Sequence, residues 1–273
     1  HGLDRLDAQL LALHALGRRD VDRAWLLAHD TDTLPEAALA RLQNCVRRRT
    51  TGEPLAYITG HKEFYGLDLT VDSRVLVPRP DTETLVDWAL EVLTSTPGTE
   101  GSDLTAPLKT RVIDLGTGSG AIALALKHAR PSLQVSAVDF SADALTGARS
   151  NAERMKVDVA FSQGSWRDGV SGHFDAIVSN PPYIAAADQH LAALTHEPLQ
   201  ALASGNDGLD DIRAIIRQAP QRLSSGGWLL LEHGYDQAAT VRALLTTAGL
   251  KNAQSRRDLA GIERCSGARL PIT

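Results

Sequence analysis

The sequence predicts an α/β fold, a doubly wound parallel sheet preceded by a small helical domain and a connecting β-hairpin. Three observations predict it. From residue 111 onward short apolar runs alternate with amphipathic stretches, the rhythm of strands and helices in turn. The first run, Val112-Ile113-Asp114-Leu115, leads through the glycine-rich turn Gly116-Thr117-Gly118-Ser119-Gly120 into the apolar Ala121-Ile122-Ala123-Leu124-Ala125-Leu126. Ahead of residue 54, the leucines recur at three- and four-residue steps, as on helix faces.

Taken in order, Leu3, Leu6, Leu10, Leu13 and Leu16 mark a first helix that Gly17 ends. Asp20-Val21-Asp22 starts a second with an Asp cap, and Pro35 starts a third, its fixed φ suiting a first turn. Residues 1–53 thus form a helical bundle without catalytic pattern, suited to docking a partner or covering a cleft. Residues 54–80 change character: 56–60, 62–66 and 67–71 alternate like short strands between glycine turns, a hairpin linker. The third domain, 81–273, opens with a helix over 84–93 and a Thr-, Pro-, Gly- and Ser-rich loop over 94–110. Strands are then expected near 111–115, 134–139, 157–161, 174–179 and 226–232. Helices are expected near 120–129, 141–154, 207–221 and 236–248.

Composition narrows the function. The chain has 273 residues, 43% hydrophobic, enough for one large and one small domain. No apolar run approaches the ~20 residues that span a bilayer. The opening His1-Gly2-Leu3-Asp4 lacks a signal-peptide pattern, and its missing initiator Met points to a trimmed or tagged chain. A cytoplasmic protein that works away from membranes is expected. Cys45 and Cys265 lie far apart without metal-ligand spacing, as free thiols do in a reducing compartment. The nine histidines are scattered, so no metal is expected. A net charge of −5 argues against a broad basic face that wraps nucleic acid.

The chemistry is written at two turns. Asn180-Pro181-Pro182-Tyr183 follows the apolar strand Phe174-Asp175-Ala176-Ile177-Val178-Ser179. Two prolines remove two N–H groups and fix φ, leaving carbonyls beside an Asn side chain and a Tyr ring. Such an acceptor-rich clamp suits a planar group bearing NH2, an amide or the exocyclic amine of a base. The spacing G-x-G-x-G at 116–120 differs from the dinucleotide fingerprint, so a pyrophosphate is not the obvious ligand. Asp139 ends the next strand, where an acid accepts hydrogen bonds from both hydroxyls of a ribose. Glycine turn, strand-end acid and Asn-Pro-Pro-Tyr, in that order, point to an S-adenosylmethionine methyltransferase acting on a planar nitrogen. Gly116, Asp139 and Asn180 would all stand at the carboxyl edge of the sheet, where such folds bind ligands.

Further runs carry a resemblance. Gly52-Glu53-Pro54-Leu55-Ala56-Tyr57-Ile58-Thr59-Gly60, Glu63-Phe64-Tyr65-Gly66-Leu67 and Pro78-Arg79-Pro80-Asp81-Thr82-Glu83 resemble the bacterial glutamine-N(5) methyltransferases of peptide chain release factors, the HemK/PrmC family. So do the glycine turn, the Asn-Pro-Pro-Tyr run and Leu231-Glu232-His233-Gly234. The resemblance implies a Rossmann-like class I methyltransferase sheet, S-adenosylmethionine as cofactor, and methylation of the glutamine in the Gly-Gly-Gln loop of class 1 release factors. It implies that Gly116, Thr117, Gly118, Ser119 and Gly120 cradle the methionine end of the cofactor and that Asp139 holds its ribose. Phe140 and Trp166 would pack near the adenine. Asn180 and the Pro181 carbonyl would bind the amide hydrogens, with Pro182 and Tyr183 beside them. A monomer that docks the release factor through the helical domain, without direct nucleic-acid contact, is expected. The chain departs from the family pattern at 185–199, which is shorter and lacks a basic residue ahead of Glu197, and at Phe140, where an aliphatic residue is usual.

Three rivals compete with this reading. A ribosomal-protein glutamine methyltransferase would share Asn-Pro-Pro-Tyr, but the 78–83 run looks more like the release-factor branch. A nucleic-acid amine methyltransferase would flip a base into the same clamp and should carry a basic recognition domain. A docking module without catalysis would bind cofactor without turnover.

Overall fold

The computed structural model describes residues 2–18, 22–94, 110–166 and 172–272. Three helices, α1 (Arg5–Ala15), α2 (Arg23–Ala28) and α3 (Glu36–Thr50), lead the chain. Asp4 caps α1 by accepting from the Asp7 N–H at 2.9 Å. Leu11 of α1 packs against Cys45 of α3, and Arg49 of α3 reaches Asp7 at 2.6 Å. Leu6, on the expected apolar stripe, is instead 47% exposed.

Residues 56–60 do not form the expected strand. They lie in a short helix, α4 (Leu55–Thr59), which follows Pro54 and ends at Gly60 with φ +80°. Pro54 presets helical entry and Gly60 accepts a left-handed cap, which outweighs the strand preference of Tyr57, Ile58 and Thr59. Ile58 completes the core of the leading bundle. The hairpin is therefore only β1 (His61–Phe64) and β2 (Leu67–Thr70), turning at Tyr65-Gly66.

The main sheet has seven strands among the described residues: β3 (Arg111–Leu115), β4 (Gln134–Asp139), β5 (Ala160–Gln163), β6 (Phe174–Ser179), β7 (Leu223–Glu232), β8 (Lys251–Arg257) and β9 (Glu263–Arg269). Their order is β5-β4-β3-β6-β7-β9-β8. The first five run parallel, and β9 pairs antiparallel with both β7 and β8. Helices α5 (Glu83–Thr94), α6 (Ala121–Ala129) and α7 (Ala142–Met155) cover one face, α8 (Asp210–Gln218) and α9 (Ala238–Thr247) the other. Both faces are thus buried, which is why β3 and β6 read as continuous apolar runs.

Some boundaries differ from expectation. The strand expected at 157–161 begins at Ala160, because Lys156 takes φ +55° and the Val157 N–H bonds back to Ala152 in the cap of α7. The helix expected over 207–221 ends at Gln218 and passes into a 3-10 turn that contains Pro220. The loop expected over 94–110 lies, apart from its ends, outside the described residues.

A buried side chain of α7 joins the hairpin to the glycine turn. Asn151 of α7 is fully buried; it accepts from the Thr70 N–H at 2.9 Å and donates to the carbonyls of Thr70 and Ser119, each at 3.0 Å. Replacing it leaves the buried Ser119 carbonyl and the partly buried N–H and carbonyl of Thr70 without these partners. Asn151→Ala is expected to cost roughly 2–4 kcal/mol in urea unfolding. A loss below about 0.5 kcal/mol would mean the hairpin is held by its apolar contacts and by the Tyr65–Glu83, Tyr65–Asp87 and Arg154–Asp68 contacts instead.

Candidate functional site

Strand order reverses at β3: the chain passes outward to β4 and β5, then returns to place β6 on the other side of β3. A crevice opens at such a point beyond the carboxyl ends of the strands. Leu115 pairs with Val138 on one side and Ser179 on the other. The next residues along, Gly116, Asp139 and Asn180, therefore emerge side by side. They line one cleft enclosing about 930 Å³ including its open mouth. Thr117, Gly118, Ser119, Phe140, Trp166 and Pro182 line it too.

The glycine turn is built for close approach. Gly116 has φ +73°, and a Cβ there would stand 2.7 Å from the Trp166 ring. The Gly116 and Thr117 N–H groups bond to the Val138 carbonyl at 2.8 and 3.0 Å. Thr117 turns its hydroxyl inward and donates to buried Asp114 Oδ2 at 2.6 Å. Burial pushes the Asp114 carboxyl up to about 7, against the lowering effect of that hydrogen bond. Gly120 caps α6 and does not border the cleft. Asp139 accepts the Gly118 N–H on Oδ2 and the Ser141 N–H on Oδ1, each at 2.8 Å. Each oxygen keeps a second lone pair for an outside donor, as a ribose diol requires. Burial raises the Asp139 pKa, and the backbone N–H groups oppose it.

Two aromatic rings flank the open end. Phe140 is 75% exposed although it lines the cleft, leaving a free face for a planar ligand. Trp166 lies against Gly116, with its indole N–H donating to Asp211 Oδ1 at 2.6 Å. The rings and the acid of the strand end fit a nucleoside, and the glycine turn leaves room for its extended tail.

The clamp side is defined by Asn180. Its Nδ2 donates to Thr82 Oγ1 at 3.2 Å. Its Oδ1 is shielded from solvent and has no partner within the protein. Pro181 is buried and, unlike Asn180 and Pro182, is not among the residues that line the cleft. Tyr183 stands behind them, its hydroxyl 3.5 Å from Glu232 Oε1. Its carbonyl accepts from Gln237 at 3.0 Å, and a Cβ on Gly208 would stand 2.1 Å from that oxygen. Only glycine fits at 208.

Sequence reasoning assigned no role to Thr82, Glu197 or Glu232. Glu232, at the end of β7, is fully buried and its carboxyl is pushed up to about 7, first by desolvation. The Thr82 and Tyr183 hydroxyls and Arg264 act the other way, while Asp81 adds to the rise. Glu197 accepts the Val77 N–H at 3.0 Å and Arg79 Nη2 at 2.5 Å, tying the loop after Tyr183 to the 75–79 segment beside the cleft. Arg79, from the 78–83 run, is thus the cation that Glu197 pairs with. The signal for all three was the Pro78–Glu83 run, the strand-end Glu232 and the Glu197-Pro198 pair, which sequence alone does not connect. His233 proves to be a strand-end residue, bonded to Ser266 Oγ at 2.7 Å and the Gly234 carbonyl at 2.9 Å.

Comparison with known proteins agrees with this architecture. The family model described as PrmC N-terminal domain matches residues 1–60, and the one described as Methyltransferase small domain matches residues 99–206. Among solved structures, a methyltransferase from Pyrococcus furiosus superposes with a TM-score of 0.54 at 19% identity, over 84% of this chain and 100% of that one. The N-terminal domain of human METTL16, solved in complex with SAH, superposes with a TM-score of 0.54 at 16% identity, over 76% of each chain. These likenesses show a class I methyltransferase fold. A release factor glutamine methyltransferase from Bordetella pertussis is 48% identical over 98% of this chain and 96% of its own length. One from Coxiella burnetii is 45% identical over 97% of this chain and 91% of its own length. At that identity over nearly its whole length, the chain belongs to the release factor glutamine methyltransferase family.

Proposed function

We propose that this enzyme transfers a methyl group from S-adenosylmethionine to the side-chain amide nitrogen of the glutamine in the Gly-Gly-Gln loop of class 1 peptide chain release factors. The observation that carries the reading is Asn180 Oδ1, a buried acceptor without a partner, on the wall of the same cleft as the glycine turn. A buried acceptor left unpaired costs about 1–3 kcal/mol, which a substrate N–H relieves. The nearly full-length likeness to release factor glutamine methyltransferases supports the substrate.

S-adenosylmethionine supplies an electrophilic methyl on a sulfonium. Gly116 to Ser119 would take its methionine end, Asp139 would hold its ribose, and Phe140 with Trp166 would flank its adenine, with Gly120 turning the chain into α6. The protein's main task is placement, because an amide nitrogen is a poor nucleophile whose lone pair is spread into the carbonyl. Asn180 Oδ1 and the Pro181 carbonyl accept the two amide hydrogens and fix the nitrogen with its free face toward the donor. Orientation of this kind supplies roughly 7–11 kcal/mol of a barrier in favourable cases. Acceptance of both hydrogens also builds electron density on nitrogen as the new bond forms. The protonated amide product is acidic enough to lose its proton to water.

The enzyme is read as a cytoplasmic monomer whose helical domain, 1–53, meets the release factor. The net charge of −5 supports action without a nucleic-acid partner. No helix among the described residues is long and apolar enough to cross a membrane.

The deciding experiment offers labelled S-adenosylmethionine to a purified release factor and to the same factor with its Gly-Gly-Gln glutamine changed to alanine. Label on the first alone establishes the substrate and the residue. Label on neither, with cofactor still bound, would redirect the reading to ribosomal proteins and then nucleic acid. For the cofactor side, Phe140→Ala is expected to weaken S-adenosylmethionine binding roughly 5- to 20-fold by calorimetry, the value of one lost stacking face. A Kd within twofold of wild type would remove Phe140 from the site.

A further inference from the structure

Trp166 stands where no strand or helix aims it. β5 ends at Gln163, and the Gly164 N–H bonds to the Asp139 carbonyl at 3.0 Å, two residues short of the indole. Packing alone leaves the ring room. Its benzene edge lies against Gly116 on the cofactor cleft. The side chain also borders an apolar space of about 360 Å³ including its mouth, lined by Ile113, Leu115, Ile177 and Ile215. A ring with space beside it keeps one rotamer when a directional contact selects it.

Asp211 supplies that contact. It sits in the first turn of α8, and its Oδ1 accepts the indole N–H at 2.6 Å. An indole N–H only donates and a carboxylate only accepts, so the pair closes in one way. The carboxylate is itself held. Its Oδ2 accepts the Ser204 hydroxyl at 2.7 Å, and Ser204 Oγ accepts the Asp211 N–H at 2.8 Å. Ser204 is buried, and its own N–H donates to the Ile184 carbonyl at 2.9 Å, one residue past the Asn180–Tyr183 run. Successive hydrogen bonds thus register the pyrrole edge of the indole to the backbone that continues the clamp.

We infer that Asp211 is a positioning residue that holds the Trp166 indole as a fixed wall of the cofactor cleft. A wall already in place leaves less ordering to be done when the ligand binds, which raises affinity. The inference rests on the reading of Trp166 as a flank of S-adenosylmethionine. Asp211 acts through the ring.

The test measures the Kd for S-adenosylmethionine by calorimetry on the full chain. Beside it runs the single-turnover rate at saturating cofactor with the release factor as substrate. Asp211→Ala should weaken binding roughly tenfold and leave the saturated rate within about threefold. Asp211→Asn, which keeps an acceptor for the indole, should bind within about threefold of wild type. Trp166→Phe keeps a ring without the N–H and should weaken binding by a similar factor to Asp211→Ala. On that background Asp211→Ala should add less than about twofold. Wild-type affinity in Asp211→Ala or in Trp166→Phe would overturn the inference, as would no recovery in Asp211→Asn. So would an equal loss from Asp211→Ala on both backgrounds, the result of a structural role or of direct contact with the cofactor. A saturated rate that falls as far as the affinity would do the same. Trp166→Ala checks the underlying reading: wild-type affinity there would remove Trp166 from the cofactor site, and the inference with it.

Discussion

Asn180→Ala is expected to lower kcat roughly 10²- to 10³-fold while the affinity for S-adenosylmethionine stays within about twofold. The size follows from what the side chain does. Its Oδ1 is the side-chain atom of the clamp that is buried, without a partner and placed to accept an amide hydrogen. Without it the substrate nitrogen keeps one fixed hydrogen bond, to the Pro181 carbonyl, and can rotate about it. The cofactor loses little, because the 116–120 turn and Asp139 belong to other strand ends. Isothermal titration and single-turnover rates on the same preparation separate the two quantities. Equal losses in both would make Asn180 a cofactor or folding residue.

Glu232→Gln is expected to stabilise the enzyme at pH 8 by up to about 3 kcal/mol and to flatten its loss of stability between pH 5 and 8. The sign follows from the direction of the shift. The Glu232 carboxyl stands at about 7 in the fold against an ordinary 4.5, so the folded state binds this proton more tightly than the unfolded chain. Below pH 4.5 both states hold the proton and the residue has no effect. Between 4.5 and 7 only the unfolded chain releases it, and stability falls. Above 7 the full penalty of a buried charge is present. Asp114, raised from 3.8 to about 7 by burial, adds a second penalty over a similar window. Urea midpoints across that range should therefore fall for the wild type and fall less for Glu232→Gln. Parallel curves would show that Glu232 titrates normally. Two acids buried near the carboxyl ends of β3 and β7, behind the residues that line the cleft, are a standing cost in stability.

Much of this was legible in the sequence because it is local. The 116–120 turn, Asp139 and the 180–183 run each sit at the end of an apolar strand, and strand ends on one edge of a parallel sheet converge whatever lies between them. What stayed hidden is non-local or lacks contrast. Strand β8, Lys-Asn-Ala-Gln-Ser-Arg-Arg, is a polar sheet edge with no apolar alternation, and β9 is buried through small residues such as Ser266, Gly267 and Ala268. Neither strand was expected. The short helix at 55–59 was misread as a strand because Tyr57, Ile58 and Thr59 favour strands, while the decisive residues were Pro54 and Gly60 at its ends. The contacts from Thr82 to Asn180 and from Arg79 to Glu197 join residues about a hundred positions apart. No spacing rule reaches that far.

The pairing of Leu115 with Ser179 has a wider consequence. Donor turn and acceptor clamp leave neighbouring strands one residue past that pair, so their separation is set by the ~4.8 Å gap between hydrogen-bonded strands. That gap is a property of the peptide backbone and cannot be tuned by side-chain length. Substitutions around the rim change which molecule is admitted but not how far the methyl travels. A lineage could therefore exchange one planar nitrogen for another, protein or base, by remodelling the entrance and the leading helices alone. The reach of the transfer would be inherited unaltered.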